Sequence, residues 1–324
     1  MPSIRVQHIR PKSLKYLHIY QIYLQKDNMA AKADSFISQA IVIAGSPGRG
    51  KGIFAARNVR KGDCLVREEP IMRGSSQDRD LLAKLTAQLQ ALPPDQQRGF
   101  LELQWPLRPQ FPLRNRFFAN AFDIGNEPDT TPEGAVFLYA AQFNHSCIPS
   151  AYWVWDCHIE RLTVYAIADI PKGEEIFINY TPLDSTPEER TDTLKNVYGF
   201  TCSCPVCSSE ALSQKREELR VAADRLHTRL EALGYEGGRG DKNWIKAAPG
   251  SDNDPLPTIL GLIEVYEHAG FPTLALATLY GQASSCYFWR GQSHEERKYK
   301  ANQHAVTTCC IGREAAERII KEVG

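Results

Sequence analysis

The chain has no surplus of either charge: 38 Lys and Arg balance 38 Asp and Glu. Proteins whose main work is gripping DNA or RNA carry a basic excess, so no direct nucleic-acid partner is expected, although a small basic groove remains compatible with neutrality. No apolar run approaches the ~20 residues needed to span a bilayer, and no membrane partner is expected. The start shows no secretory pattern of short basic segment, apolar core and small-residue cleavage site. With nine cysteines, an odd number, a reduced intracellular setting is expected, nucleus or cytoplasm or both. There, clustered cysteines serve as metal ligands rather than disulfides.

One further absence removes an attractive assignment. Gly45-Ser-Pro-Gly-Arg-Gly-Lys-Gly52 nearly matches a phosphate-binding loop and follows a strand-like run, Ile41-Val-Ile-Ala44. Position 52 is Gly, so the hydroxyl that would hold Mg²⁺ is missing. The continuation reaches a Gly turn after one short run, where such a loop must open a helix.

What is present is a cluster of three cysteines, Cys202, Cys204 and Cys207, within six residues. A closed structural zinc site wants four ligands in a tetrahedron. The open corner is filled by water, by substrate or by a distant side chain, for which Cys147 and Cys157 are the candidates, with Cys64 a weaker one. Upstream the texture is strand-rich: Ile53–Val59, Cys64–Arg67, Tyr152–Trp155, Leu162–Ile167 and Ile176–Tyr180 read as strands. Asp78–Gln90 is expected to be helical, and Asp95 to cap a second helix through Leu103. Prolines 106, 109 and 112 mark a loop, and residues 117–122 and 135–143 are apolar enough for buried helix or strand. Ala56-Arg-Asn-Val-Arg-Lys-Gly-Asp63 is echoed by Ala168-Asp-Ile-Pro-Lys-Gly-Glu174, turn chemistry used twice. After residue 208 the chain is expected to be helical, apart from a Gly- and Asp-rich loop over 234–254 and breaks near 270 and 291. These helix pairs would stack like a short repeat array. The first 28 residues are basic and acid-poor (Arg5, Arg10, Lys12, Lys15 and Lys26 against Asp27) with Tyr16, Tyr20 and Tyr23 interleaved. They read as a disordered arm, a mitochondrial presequence or an extension upstream of a second start at Met29.

Four motifs in order over residues 41–207 resemble the SET domain of protein lysine methyltransferases, in particular the SET-MYND proteins and their fungal relatives. They are Gly50-Lys-Gly-Ile-Phe-Ala55, Asn144-His-Ser-Cys147, Gly173-Glu-Glu-Ile-Phe-Ile-Asn-Tyr180 and Tyr198-Gly-Phe-Thr-Cys-Ser-Cys-Pro-Val-Cys207. The resemblance implies an α+β protein. It would comprise a basic extension over 1–38, a β-rich SET domain over 39–182 with a helical insert at 72–135, a zinc-binding post-SET segment over 183–208 and an all-helical C-terminal lobe over 209–324. The family's MYND zinc module has no counterpart, since residues 72–135 contain neither Cys nor His. Pro149-Ser150 also departs from the family's usual Pro-Asn.

By that resemblance the function is transfer of a methyl group from S-adenosylmethionine to a protein lysine. The partner is then a protein bearing the target lysine, and the enzyme a monomer. Structural zinc would be held by Cys147, Cys202, Cys204 and Cys207. Gly50, Lys51, Gly52, Asn144, His145, Tyr180 and Phe200 would bind the cofactor: the glycines through close backbone approach, Lys51 through its carboxylate, and Phe200 against the adenine. Tyr180 takes the catalytic position and Tyr198 lines the lysine channel, with Asn120 a weaker candidate lining residue. The helical lobe would close one side of the substrate groove or bind partners. Cys286, Cys309 and Cys310 lack metal spacing and read as core or surface cysteines. The alternative is a catalytically silent SET domain serving as a zinc-stabilised interaction module.

Overall fold

The computed structural model describes residues 34–106, 110–125, 133–182, 184–235, 242–270 and 273–323. The basic start through Met29 lies outside the described residues, as do Pro109, residues 236–241 of the 234–254 loop and the Phe271-Pro272 break; the rest of that loop includes a 3-10 turn over Lys242–Lys246. In chain order the elements are strands β1 Phe36–Ile37, β2 Ile41–Ser46, β3 Gly50–Ala55, β4 Cys64–Glu68 and β5 Met72–Gly74. Helices α1 Leu81–Ala91, α2 Pro94–Glu102 and α3 Pro112–Asn120 follow. Then come strands β6 Ala121–Asp123, β7 Gly134–Val136, β8 Asn144–His145, β9 Ala151–Asp156, β10 Arg161–Ala166 and β11 Glu175–Ile178. The rest is helical: α4 Pro187–Asn196, α5 Pro205–Ser208, α6 Glu210–Ala232, α7 Leu256–His268, α8 Leu274–Trp289, α9 Ser293–Ile311 and α10 Arg313–Val323.

Two four-stranded sheets, ordered β1-β4-β10-β9 and β2-β3-β11-β8, share one core that includes Ile53, Leu65, Val164, Phe143, Ile176 and Ile178. The first sheet begins at Phe36, paired with Arg67, so ordered structure starts before residue 39. The glycine-rich stretch is not a long loop. β2 and β3 pair antiparallel from Ile41↔Ala55 to Ser46↔Gly50, leaving a tight turn closed by the Arg49 N–H donating to Ser46 O at 3.0 Å. Glycine is tolerated in a strand where another chain group approaches closely, and here a strand, not a helix, follows the turn. That geometry offers no phosphate-binding helix terminus.

The two Lys-Gly echoes face each other. Val59 and Ile170 exchange backbone hydrogen bonds at 2.9 Å in both directions. Asp169 accepts from the Lys61 N–H at 2.8 Å, and Asn58 accepts from the Lys172 N–H at 2.9 Å. Similar residues thus clamp similar turns across a local two-fold arrangement, which joins the two sheets.

The insert is only partly helical. β5, β7 and β6 form a third sheet, on which α1–α3 pack through Met72, Leu81, Leu85, Phe100, Phe117 and Val136. Strand formation here answers the need to pair backbone at both ends of the insertion. Asp95 does not cap α2. Pro93 occupies that position with Pro94 as the first helical residue, a place where the missing N–H costs nothing. Pro112 plays the same part in α3.

In the C-terminal lobe α6 to α9 each pack on their predecessor around a core including Leu230, Leu256, Ile259, Leu262, Tyr280 and Cys286. A separate apolar cluster, Val154 with Leu274, Ala277, Cys310, Ile311 and Ala316, docks the lobe on β9. Arg318 pairs with Asp156 at 2.8 Å beside it. Cys286, Cys309 and Cys310 are all buried. Within the lobe Asp254, 4% exposed, pairs with Arg290 and accepts from the Gly250 and Leu256 N–H groups at 2.8 and 3.0 Å. Burial pushes its carboxyl up, but these N–H groups and the guanidinium outweigh that and hold it below the usual carboxylate value. A depressed folded value contributes stability that is present above the unfolded value and is lost as pH falls through the folded one. The lobe's melting temperature should therefore drop as pH falls below about 4, and Asp254→Asn should flatten that acid limb in a pH-scanned thermal melt.

Candidate active site and metal centre

The site is built on β11. β8 runs parallel to it, with Asn144 opposite Phe177 and His145 opposite Ile178. Just beyond β11, the Tyr180 N–H donates to His145 Nδ1 at 3.0 Å. That fixes Nδ1 as an acceptor, and burial lowers the His145 pKa to about 4, so the ring is neutral. Its Nε2 lies 3.4 Å from Cys147 Sγ. The Tyr180 hydroxyl donates to Phe143 O at 2.5 Å, which orients the phenol.

α4 brings the next aromatic residues. Its start is a capping box, Thr186 with Glu189, and Pro187 is its first residue. After its last turn the Phe200 N–H donates to Leu194 O at 3.1 Å. Gly199, at φ +80°, reverses the chain against Pro106, where a Cβ would sit 2.7 Å from the proline ring. The result is an aromatic cluster: Tyr198 lies 4.8 Å from Tyr180 and Phe200 6.4 Å, ring centre to ring centre, with His145 5.3 Å away. Burial pushes the Tyr198 phenol up to about 12 and Tyr180 further, so both remain neutral donors.

The glycine hairpin meets this cluster through a residue the motif reading passed over. Asn144 Nδ2 donates to Lys51 O at 2.9 Å and to Glu175 Oε1 at 2.7 Å. Ser46 Oγ donates to Glu175 Oε2 at 2.9 Å, and Arg49 lies 3.4 Å from the same oxygen. Gly52 makes room for this carboxylate: a Cβ there would lie 2.3 Å from Glu175 Oε1 and 2.9 Å from Asn144 Nδ2. The signal in the sequence was the acid inside Gly173-Glu-Glu175, one residue before the apolar run. Gly52→Ala should displace both polar groups and cost about 1–3 kcal/mol, seen as a lower denaturant midpoint.

Other expected residues stand apart from the cluster. Lys51 Nζ pairs with Glu102 at 2.9 Å on the surface, an exposed contact easily exchanged for another anion. Gln104 fills the space beside Gly50. Asn120 donates to Gln104 O and Arg116 O, both at 2.9 Å; its described hydrogen bonds finish α3 and hold the segment beside the hairpin.

The metal candidates do converge. The Sγ atoms of Cys147, Cys202, Cys204 and Cys207 all lie within 4.8 Å of one another, with Cys147 and Cys207 at 3.6 Å. Zn–S bonds of about 2.3 Å in a tetrahedron place the sulfurs ~3.8 Å apart, so the set fits zinc. Four thiols this close cannot all ionise without a cation; burial, together with the neighbouring Cys202 and Cys204, pushes Cys207 up to about 11. Cys157 packs instead against the cores behind β9, and Cys64 Sγ contacts Val66 O. Arg216 of α6 donates to Cys147 O, tying the helical lobe to the cysteine site.

Residues 50–181 match the family described as the SET domain. Among curated proteins, the chain is 31% identical over 166 residues to the histone-lysine N-methyltransferase set5 of Schizosaccharomyces pombe, covering 51% of this chain and 49% of that protein. It is 32% identical over 105 residues to the human N-lysine methyltransferase SMYD2, covering 32% of this chain and 24% of that protein. The chain therefore spans about half the length of the first relative and a quarter of the second. Among solved structures, the Neurospora SET domain protein DIM-5, a histone lysine methyltransferase, aligns at 23% identity and a TM-score of 0.28, over 44% of this chain and 52% of that one. Residues 50–181 thus match a SET domain, and in sequence the chain is similar to set5 and SMYD2.

Proposed function

We propose that the protein is an S-adenosylmethionine-dependent methyltransferase acting on protein lysine side chains. The observation that carries this reading is the convergence of Tyr180, Tyr198, Phe200 and His145 in a single cluster, with Asn144 next to His145 on β8 and the residues on motifs in SET order. Gly50, Lys51, Gly52, Asn144, His145 and Phe200 are the residues that would hold the cofactor. The residues present fit it in their chemistry: a neutral imidazole at His145, an Asn144 carbonyl with no described donor, and an exposed Lys51 in the hairpin. When bound, the cofactor supplies a methyl group on a positively charged sulfonium.

The rest of the task falls to the protein. Lysine is charged in water and reacts only as the neutral amine. Tyr180 and Tyr198 offer it an aromatic, largely water-free seat, which disfavours the ammonium form. Tyr180, oriented by Phe143 O, stands beside the reacting groups, and fixed alignment of donor and amine can supply much of the acceleration. The four cysteines would hold a structural zinc that keeps the Tyr198–Phe200 segment against β8. The protein works as an intracellular monomer on a protein partner, with the helical lobe bounding one side of the substrate groove.

The test is incubation of purified, zinc-loaded protein with methyl-labelled cofactor and a cell extract, followed by mapping of the labelled residue. Label on lysine in one or a few proteins is expected. Absence of label together with absence of S-adenosylhomocysteine binding by calorimetry would leave a zinc-tied interaction domain instead.

A further inference from the structure

Glu175 makes three polar contacts that meet on one carboxylate, and its side chain is only 10% exposed. Oε2 takes the Ser46 hydroxyl and faces Arg49, both from the hairpin turn, while Oε1 takes Asn144 Nδ2. The second Asn144 N–H goes to Lys51 O. The amide therefore cannot be reversed, because reversal would press its oxygen against a carboxylate and a carbonyl, two groups that only accept. With both donors spent, the Asn144 side chain has one group left to offer, its Oδ1 acceptor, and no described group donates to it.

We infer that Glu175 is a positioning residue that holds Asn144 with its carbonyl oxygen toward the ligand seat, so that the site selects a ligand bearing a cationic N–H donor. On the methyltransferase reading, that donor is the α-ammonium of the cofactor's amino-acid end. Through Ser46 and Arg49 the same carboxylate holds the β2–β3 turn in place. Gly52 is required because only a residue without Cβ leaves the carboxylate its seat.

Two measurements test this. In the ligand-free protein, the Asn144 side-chain NH₂ protons, followed by NMR, should exchange at least tenfold more slowly than those of an exposed Asn, and lose that protection in Glu175→Gln. Absent protection in the unmodified protein overturns the inference. In calorimetry, Glu175→Gln should weaken S-adenosylhomocysteine by about tenfold or more, the scale of a hydrogen bond to a charged group. Binding of the analogue lacking the α-amino group should change less than twofold. Ser46→Ala, which loosens the turn but leaves the Glu175–Asn144 contact, should weaken both ligands alike. If Glu175→Gln also weakens both alike, or neither, its role is only to hold the turn and the inference falls. If the unmodified protein binds neither ligand while the NH₂ protection is present, the functional reading falls and the orientation of Asn144 stands.

Discussion

Cys147→Ser is expected to strip the protein of its metal, taking zinc from about one per chain to near zero by elemental analysis. Serine keeps the size of the side chain but removes the soft donor, leaving three thiolates that have lost the closed tetrahedron. Structural zinc contributes on the order of 10 kcal/mol in small Cys-rich sites, comparable to a typical domain's whole stability. Cys147 is also the hinge of a larger arrangement. Its sulfur lies beside His145 Nε2 and its carbonyl accepts from Arg216. Loss of the metal should loosen the segment carrying Tyr198 and Phe200, so methyl transfer should fall by at least 100-fold while the helical lobe keeps its far-ultraviolet signal. Full zinc retention in the variant would exclude the four-cysteine site. Cys157→Ser is the control: that residue packs away from the cluster, and zinc content should be unchanged.

Tyr180→Phe should leave cofactor affinity within about threefold and cut turnover by at least 100-fold, on the scale of losing one oriented polar group at a reacting centre. The ring would stay in place, since it packs against Tyr198 and His145. Only the hydroxyl goes, and with it the bond to Phe143 O. An unpaired buried carbonyl costs roughly 1–3 kcal/mol, so a small drop in melting temperature is expected alongside the kinetic loss. The two effects separate cleanly: Phe143 O lies in the main chain, so a purely structural role would lower stability without changing turnover per folded molecule. Turnover equal to that of the unmodified protein would remove Tyr180 from the catalytic position.

Much of this site could be read from residue order. Asn144 and His145 stand on β8, and Tyr180 just beyond the parallel β11, because their motifs end apolar runs that must be buried. The three clustered cysteines announced a candidate metal site by spacing alone. Glu175 was hidden for the opposite reason. An acid beside a strand reads as solvent-facing, and only the fold brings Ser46, Arg49 and Asn144 to it from 129, 126 and 31 residues away. Gly52 was expected to admit a ligand; its missing Cβ also makes room for a side chain of the protein itself, Glu175. The insert was expected to be helical because its strands β5, β6 and β7 are three residues each, too short for any alternation to register.

The sequence by itself determined the class of the domain, the position of its longer strands, the helical character of the C-terminal lobe and the kinds of residue that gather at the site. These are local properties, set by periodicity, turn chemistry and ligand type over a few residues. The tertiary structure brought Cys147 to the three clustered cysteines, as the family resemblance implied, and it alone showed which carboxylate holds Asn144. Both depend on side chains distant in the chain, 60 residues apart for Cys147 and Cys207 and 31 for Asn144 and Glu175, and the choice among chemically equal partners is made by packing, not by composition. For Cys147 against Cys157 the deciding fact is burial: one faces the cysteine segment, the other the core behind β9.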